Sequence, residues 1–225
     1  MRQFTAILLD VDGTLIDSND AHARSWCDAL AEFDRPVDFE RVRRLIGKGG
    51  DKLLAETVGL SDTEGPGRSI SKRREELFLR DHVPNLKPFP QSAELIRRMH
   101  DEGFRLAIAT SAKKKEMSIL LEIIGIQEWI DATTSSDDAE ESKPDPDIID
   151  AAVRKLDIPA SQAMMLGDTP YDVDAATRAD VATIALLSGG WSSEDLQGAL
   201  AVYRDCSHLF DQFDQSPLFA SPSER

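Results

Sequence analysis

The sequence predicts an α/β fold, a parallel sheet with helices on both faces, broken by one all-helical insertion. Two observations carry this. Four short apolar runs, residues 4–9, 106–110, 163–166 and 181–186, are each of strand length and each followed by a helix-like pattern. Alternation of that kind builds parallel sheets covered by helices. The second observation is an interruption. From about residue 19 to 84 there is no strand signal, only helical patterns at 21–32, 39–46, 52–58 and 69–80. A Rossmann-like core is therefore assigned to 1–17 and 87–225, and a helical insertion to 18–86.

The first run is cut off by Asp10, the second ends at Thr110 and Ser111, and the third leads into Gly167 and Asp168. Three strands thus end in small polar or acidic residues. Ligands of parallel sheets sit at the carboxyl ends of the strands, so these residues mark a candidate site. Within the insertion, Gly65, Pro66 and Gly67 close a stretch, 61–67, that reads as a loop. The insertion is bounded by 15–20 on one side and by 84–90, with Pro84, Pro88 and Pro90, on the other. These edges read as a stiff two-strand hinge. The tail, 213–225, is rich in Ser and Pro and reads as frayed.

Length and composition set bounds on partners. The 225 residues suit one large α/β domain, or a core with a smaller appended unit. Asp and Glu outnumber Lys and Arg by 41 to 26, for a formal charge of −15. A body this acidic argues against nucleic-acid or anionic-membrane binding, which need basic surfaces. A bound phosphate would have to be held by a few local cations and backbone N–H groups. Cys27 and Cys206 cannot form a disulfide framework and have no metal-ligand spacing around them, so both read as buried free thiols. The apolar run at 4–9 is too short for a signal peptide or a membrane span. The expected setting is the cytoplasm.

The strongest chemical signal is Asp10-Val11-Asp12-Gly13-Thr14. An apolar strand delivers two carboxylates two residues apart, which in extended chain face the same side. Like charges that close need a cation beside them, or one must hold a proton. A divalent metal against Asp10 would leave one of its oxygens as a nucleophile, and Asp12 could serve as general acid and then general base. The second signal is Gly167-Asp168-Thr169-Pro170-Tyr171-Asp172, where a strand again opens into a helix. Asp168 is placed to ligate a hard cation. Asp172, four residues on, can accept hydrogen bonds from metal waters or orient Asp168. Thr110 and Ser111 supply hydroxyl and N–H groups suited to phosphate oxygens at a strand-to-helix junction. Lys143, in Ser142-Lys143-Pro144-Asp145-Pro146, offers a fixed cation from a proline-framed loop.

In this order and spacing the four motifs resemble the haloacid dehalogenase superfamily of phosphohydrolases. The insertion is similar to that superfamily's C1-type cap. The resemblance implies that Asp10 is the aspartyl nucleophile and that Asp12 protonates the leaving oxygen, then activates water. It implies Mg²⁺ held by Asp10, the backbone carbonyl of Asp12 and Asp168, with Asp172 beside it, and phosphate held by Thr110, Ser111 and Lys143. Dehalogenases of the superfamily usually lack an acid at the position of Asp12, so its presence points to phosphate esters.

The cap is implied to select the substrate and to close over it. Leu45-Ile46-Gly47-Lys48-Gly49-Gly50-Asp51 resembles the cap specificity loop of phosphoglycolate phosphatases and β-phosphoglucomutases, with Lys48 able to meet an anionic end of a substrate. The mutase loop usually carries an arginine just after its glycines, and here none follows. His22, with Arg24 and Trp26, is similar to the hinge-side pattern of the mutase relatives and joins Lys48 as a candidate substrate contact. Lys113-Lys114-Lys115 adds positive charge after the second motif. Ser188-Gly189-Gly190-Trp191-Ser192 resembles a loop near the active site of phosphoglycolate phosphatase-like proteins and is assigned no catalytic role. The expected activity is Mg²⁺-dependent hydrolysis of a small soluble phosphate monoester through a phospho-aspartate. A sugar-phosphate mutase and a non-catalytic phosphate-binding regulator are the alternatives.

Overall fold

The structure, a computed structural model, describes residues 3–219. By its contacts the chain divides into two compact units. One is formed by residues up to Asp17 together with those from Pro88 on, the other by Ser18–Lys87.

The larger unit is built on a six-stranded sheet. Its strands are β1 (Ala6–Leu9), β2 (Arg105–Ala109), β3 (Ala132–Thr134), β4 (Ala163–Gly167), β5 (Ala182–Leu186) and β6 (Ala201–Tyr203). They lie in the order β3-β2-β1-β4-β5-β6, and every neighbouring pair is parallel. β1 is central and buried along its whole length. Ala6 and Leu8 pack against residues of the helices at Asp147–Leu156 and Pro170–Arg178. Ile7 and Leu9 point to the opposite face and are buried as well. A strand covered on both faces has no polar side to show, so it reads as an unbroken apolar run rather than an alternating one. The chain leaves β1 toward β2 and β3 on one side, then returns to β4 on the other. That reversal puts a crevice at the carboxyl ends of β1 and β4. Register sharpens the placement: Leu9 stands opposite both Ile108 and Leu166. Asp10, Thr110 and Asp168 therefore leave the sheet at one edge.

The smaller unit is all helical: α1 (Asn19–Glu32), α2 (Phe39–Arg43), α3 (Gly50–Val58) and α4 (Gly65–Leu77), the last continued by a wider π turn, Phe78–His82. Its core gathers Ala23, Trp26, Leu30, Val42, Ile46, Leu53, Leu54, Ile70 and Leu77. The helices of the larger unit follow as α5 (Ser92–Asp101), α6 (Lys114–Ile124), α7 (Asp147–Leu156), α8 (Pro170–Arg178) and α9 (Cys206–Asp211). Among the described residues no helix is long and apolar enough to cross a membrane.

Several expectations need correction. The sheet has two strands more than the four apolar runs. β3 and β6 are three-residue edge strands, and an edge strand with one neighbour needs no continuous apolar run. Gly65, Pro66 and Gly67 do not form a loop but the first turn of α4, where proline is tolerated because its missing N–H would have no partner. Gly67 is there for space: a methyl group on it would run into the carbonyl of Ser61. The tail does not fray from 213. Phe213 and Leu218 are fully buried, and Phe219 meets Phe104 and Phe213 edge-on at 6.0 and 5.3 Å. Arg98 fastens the same segment, donating to Phe210 O at 3.3 Å and to Asp214 at 2.7 Å. The remainder of the expected frayed stretch, 220–225, lies outside the described residues. Cys206 is buried as expected, and burial pushes its thiol up to about 12, whereas Cys27 is only half-buried.

Candidate active site

The edge formed by β1, β2 and β4 collects buried polar groups. Asp10 follows directly on β1, its backbone N–H donating to Leu166 O at 2.9 Å, which ties it to β4. Its turn continues through Gly13, with φ +78, a conformation that glycine adopts without a steric penalty. Asp168 leaves β4 and is fully buried. Asp172 is the third residue of α8, and a capping box explains its place. Thr169 Oγ1 accepts from Asp172 N at 3.2 Å, while Asp172 Oδ2 accepts from Thr169 N at 3.0 Å. Gly167 leaves room for this carboxylate: a methyl group there would stand 2.6 Å from Asp172 Cγ. The carboxylates of Asp10, Asp168 and Asp172 each offer an oxygen within 4.8 Å of the others.

Lys143 is drawn into this cluster. It has no exposed surface, and its Nζ donates to Asp10 Oδ1 and to Asp172 Oδ1, at 2.7 Å each. A lysine in a sequence of Ser, Pro and Asp is thus wholly internal. Burial works against its charge, but the two carboxylates outweigh that and hold Lys143 above the ordinary lysine range. Asp10 feels the opposite balance. Burial pushes its carboxyl up to about 7, Asp172 and Asp12 add to the rise, and Lys143 only partly offsets it. The buried cluster has three carboxylates and one ammonium, so it carries an excess of negative charge.

That excess is the test of whether a cation fits. The donors are all carboxylate oxygens, close together and buried, which is the chemistry of a hard divalent ion. Asp172 has Oδ1 engaged by Lys143 and Oδ2 by the N–H of Asp168, the N–H of Thr169 and the Thr169 hydroxyl. Asp172 is the most heavily engaged of the three, while Asp10 accepts from Lys143 and Thr14 and Asp168 accepts from Thr14. Asp12 is half-buried, and its carboxylate is not one of the three clustered ones.

Thr110, at the end of β2, is buried, and its Oγ1 accepts from Ala112 N at 3.1 Å. The Oγ of Ser111 is buried and has no hydrogen-bond partner. A buried hydroxyl left so is costly unless a ligand completes it. One participant was not singled out from the sequence. Thr14 donates through Oγ1 to Asp168 Oδ1 at 2.7 Å and lies 3.1 Å from Asp10 Oδ2. It bridges two carboxylates 158 positions apart by way of a single hydroxyl, 154 positions from Asp168 itself. Its place in the motif was the available signal.

The remaining two predicted residues belong to the helical unit. His22, on α1, is buried, stacks on Phe78 with ring centroids 4.0 Å apart and contacts the guanidinium of Arg74. Arg74 in turn lies over Trp26 and Phe78, at 5.3 and 5.1 Å from the ring centroids. Lys48, in the turn before α3, is ion-paired with Glu56 at 2.6 Å.

Comparison with known proteins agrees with this geometry. A family model described as haloacid dehalogenase-like hydrolase matches residues 7–186. A phosphoglycolate phosphatase of Rhodospirillum rubrum is 31% identical over 216 residues, covering 92% of this chain and 89% of that protein. The crystal structure of a hydrolase from Pseudomonas syringae superposes with a TM-score of 0.87 at 29% identity, covering 94% of this chain and 98% of that one. CbbY from Rhodobacter sphaeroides, solved in complex with phosphate, has a TM-score of 0.80 at 28% identity, covering 93% and 96%. With a family match across most of its length and the motif carboxylates gathered at one sheet edge, the chain belongs to the haloacid dehalogenase-like hydrolases and is a phosphatase of that family.

Proposed function

We propose that this phosphatase is Mg²⁺-dependent and hydrolyses a small phosphate monoester, of the sugar-phosphate or phosphoglycolate kind, through a phospho-aspartate at Asp10. The observation that carries the reading is the contact of buried Lys143 with Asp10 Oδ1. A cation fixed there lies against the nucleophile and can also meet the oxygens of the group being transferred, which is where phosphoryl transfer needs positive charge.

The chain's own residues account for the steps. Thr110, Ser111 and Lys143 bind the phosphoryl oxygens and aim phosphorus at Asp10. An Asp10 carboxylate oxygen forms a bond to phosphorus while the bond to the leaving alkoxide breaks. Asp12 supplies the proton that this alkoxide takes up. Asp12, now a carboxylate, removes a proton from water, whose oxygen attacks the aspartyl phosphate and frees Asp10 and inorganic phosphate. Asp172 holds Lys143 and the start of α8 in place. A bound Mg²⁺, held by Asp10, the backbone carbonyl of Asp12 and Asp168, would supply further positive charge to the transferring group. Lys48 and His22 are proposed to select among phosphate esters, in keeping with the relative named as a phosphoglycolate phosphatase.

The test is turnover of p-nitrophenyl phosphate with and without Mg²⁺, followed by a screen of some tens of phosphometabolites for released phosphate. Activity that requires Mg²⁺, with ³²P label trapped on Asp10 in the quenched protein, is the expected result. Full activity after chelation sinks the metal assignment. Phosphate that moves within a sugar without entering solution sinks hydrolysis in favour of mutase chemistry.

A further inference from the structure

The turn after β5 has no part in the mechanism above, yet it forms a wall of the same cluster. β5 ends at Leu186 and passes into a single tight turn, Leu187–Gly189, closed by Gly190 with φ +83. Ser188 Oγ donates to Gly13 O at 2.7 Å, fastening this turn to the turn that carries Asp10. Gly189 is buried against Asp168. A methyl group on Gly189 would collide with Asp168 Oδ2 and stand 2.8 Å from Asp168 Cγ and 2.9 Å from its Cβ. Just beyond, Trp191 meets Tyr171 edge-on at 5.9 Å, so the turn is also fastened to α8.

The Asp168 carboxylate is therefore gripped from two sides. Thr14 donates to Oδ1, and the Gly189 backbone closes on Oδ2 with room for hydrogen only. We propose that Ser188 and Gly189 are positioning residues: through the Gly13 carbonyl and the face of Asp168 they set the spacing between the Asp10 and Asp168 carboxylates, and so the affinity for a divalent cation. This rests on the reading of Asp168 as a cation ligand. Groups that orient a ligand typically change metal affinity about 10- to 100-fold when altered. No other residue than glycine fits at 189, because the obstacle is the functional carboxylate itself rather than the end of a flexible side chain.

The experiment is calorimetric titration of Mn²⁺ alone into the metal-free, full-length protein, with circular dichroism melting as the check on folding. Gly189→Ala is expected to weaken Mn²⁺ about 10- to 100-fold. Ser188→Ala, which removes one hydrogen bond and no wall, is expected to weaken it about 5-fold, while Ser188→Thr keeps the hydroxyl and stays within about twofold of wild type. Raising Mg²⁺ should restore most of the kcat of Ser188→Ala, because its defect is in metal affinity. Asp168→Asn is the reference. If it loses Mn²⁺ while Gly189→Ala binds as wild type, the positioning role is overturned and the metal site stands. If Asp168→Asn itself binds as wild type, the metal reading fails and this inference with it. Should Gly189→Ala not fold, the Ser188 pair decides. Wild-type affinity in Ser188→Ala, or equal weakening in Ser188→Ala and Ser188→Thr, overturns the proposal.

Discussion

The candidate residues at the sheet edge and those in the helical unit are held in different ways. At the edge, Asp10, Asp168, Asp172 and Lys143 are buried; Lys143 Nζ meets Asp10 and Asp172 at 2.7 Å each, and the Thr14 hydroxyl donates to Asp168 at 2.7 Å. In the helical unit, Lys48 reaches Glu56 through an ion pair whose acid is 44% exposed, and His22 is held by a stacked ring. Removing a partner from a buried charge strands the other charge, at a cost of about 3–5 kcal/mol. Opening an exposed pair costs about 0–1 kcal/mol. The sheet edge is thus built to keep one geometry, as bond-making chemistry requires. The contact between Lys48 and half-exposed Glu56 can be exchanged for another, which suits a group that must meet different ligands.

The largest effect should come from the nucleophile. Asp10→Asn replaces a carboxylate by an amide that neither attacks phosphorus well nor balances Lys143. Loss of turnover by about 10³-fold or more is expected, with no ³²P trapped on the protein. Retention of more than about a tenth of wild-type activity contradicts the assignment. Next is Lys143→Met, nearly the same length without the charge. It leaves Asp10 and Asp172 facing one another unbalanced, so urea denaturation should show a stability loss of about 3–5 kcal/mol alongside lost activity. A loss under about 1 kcal/mol would mean that the cluster is far less desolvated than its burial indicates.

Asp12 is half-buried and not among the clustered carboxylates, so its removal tests chemistry more than packing. Asp12→Ala should slow phosphoenzyme formation about 10²- to 10⁴-fold for an alkyl phosphate, and much less for p-nitrophenyl phosphate, whose leaving group needs little protonation. Rapid-quench measurement of that step with both substrates checks it. Equal defects would place the role of Asp12 in the electrostatics of Asp10.

The two regions also differ in how far the sequence reveals them. β1, β2, β4 and β5 are legible because a strand buried on both faces must be apolar throughout, and the acidic residues that end β1 and β4 stand out against that background. β3, with the sequence Ala-Thr-Thr, and β6, with Ala-Val-Tyr, gain their strand identity from one neighbour, which local sequence does not encode. Lys143 is flagged by its proline frame, but its complete burial depends on Asp10, 133 positions away. The contacts of Thr14 and Gly189 are likewise not encoded locally: the sequence shows Thr14 as the end of its motif and Gly189 in a loop with no assigned catalytic role, and only the fold sets Asp168 beside both. In the helical unit, Gly65-Pro66-Gly67 misleads because its composition is that of a loop, whereas helix N-termini tolerate proline and this one requires a glycine against Ser61.

The smallest expected effect is also the one that most sharpens the contrast. Lys48 pairs with a half-exposed glutamate, so the ion pair is worth less than about 1 kcal/mol in urea denaturation, and the packed stem of Lys48, 13% exposed, adds its own loss in Lys48→Ala. If Lys48 meets an anionic end of the physiological substrate, it must leave Glu56 to do so, and its contribution is the difference between two charge contacts. A charge-assisted contact of about 1.5–3 kcal/mol sets an upper scale of about 10- to 100-fold in kcat/KM, and the lost Glu56 pair draws the expectation toward the lower end. p-Nitrophenyl phosphate, with no second anionic group, should be hydrolysed almost as well by the variant as by wild type. Glu56→Gln supplies the converse: it removes the charge that competes for Lys48 while keeping the lysine, so kcat/KM for the true substrate should stay level or rise. A uniform loss across all substrates in Lys48→Ala would show that the residue supports its turn and nothing more. No loss in any substrate would leave Lys48 as the partner of Glu56 alone in function and make His22 the next residue to change.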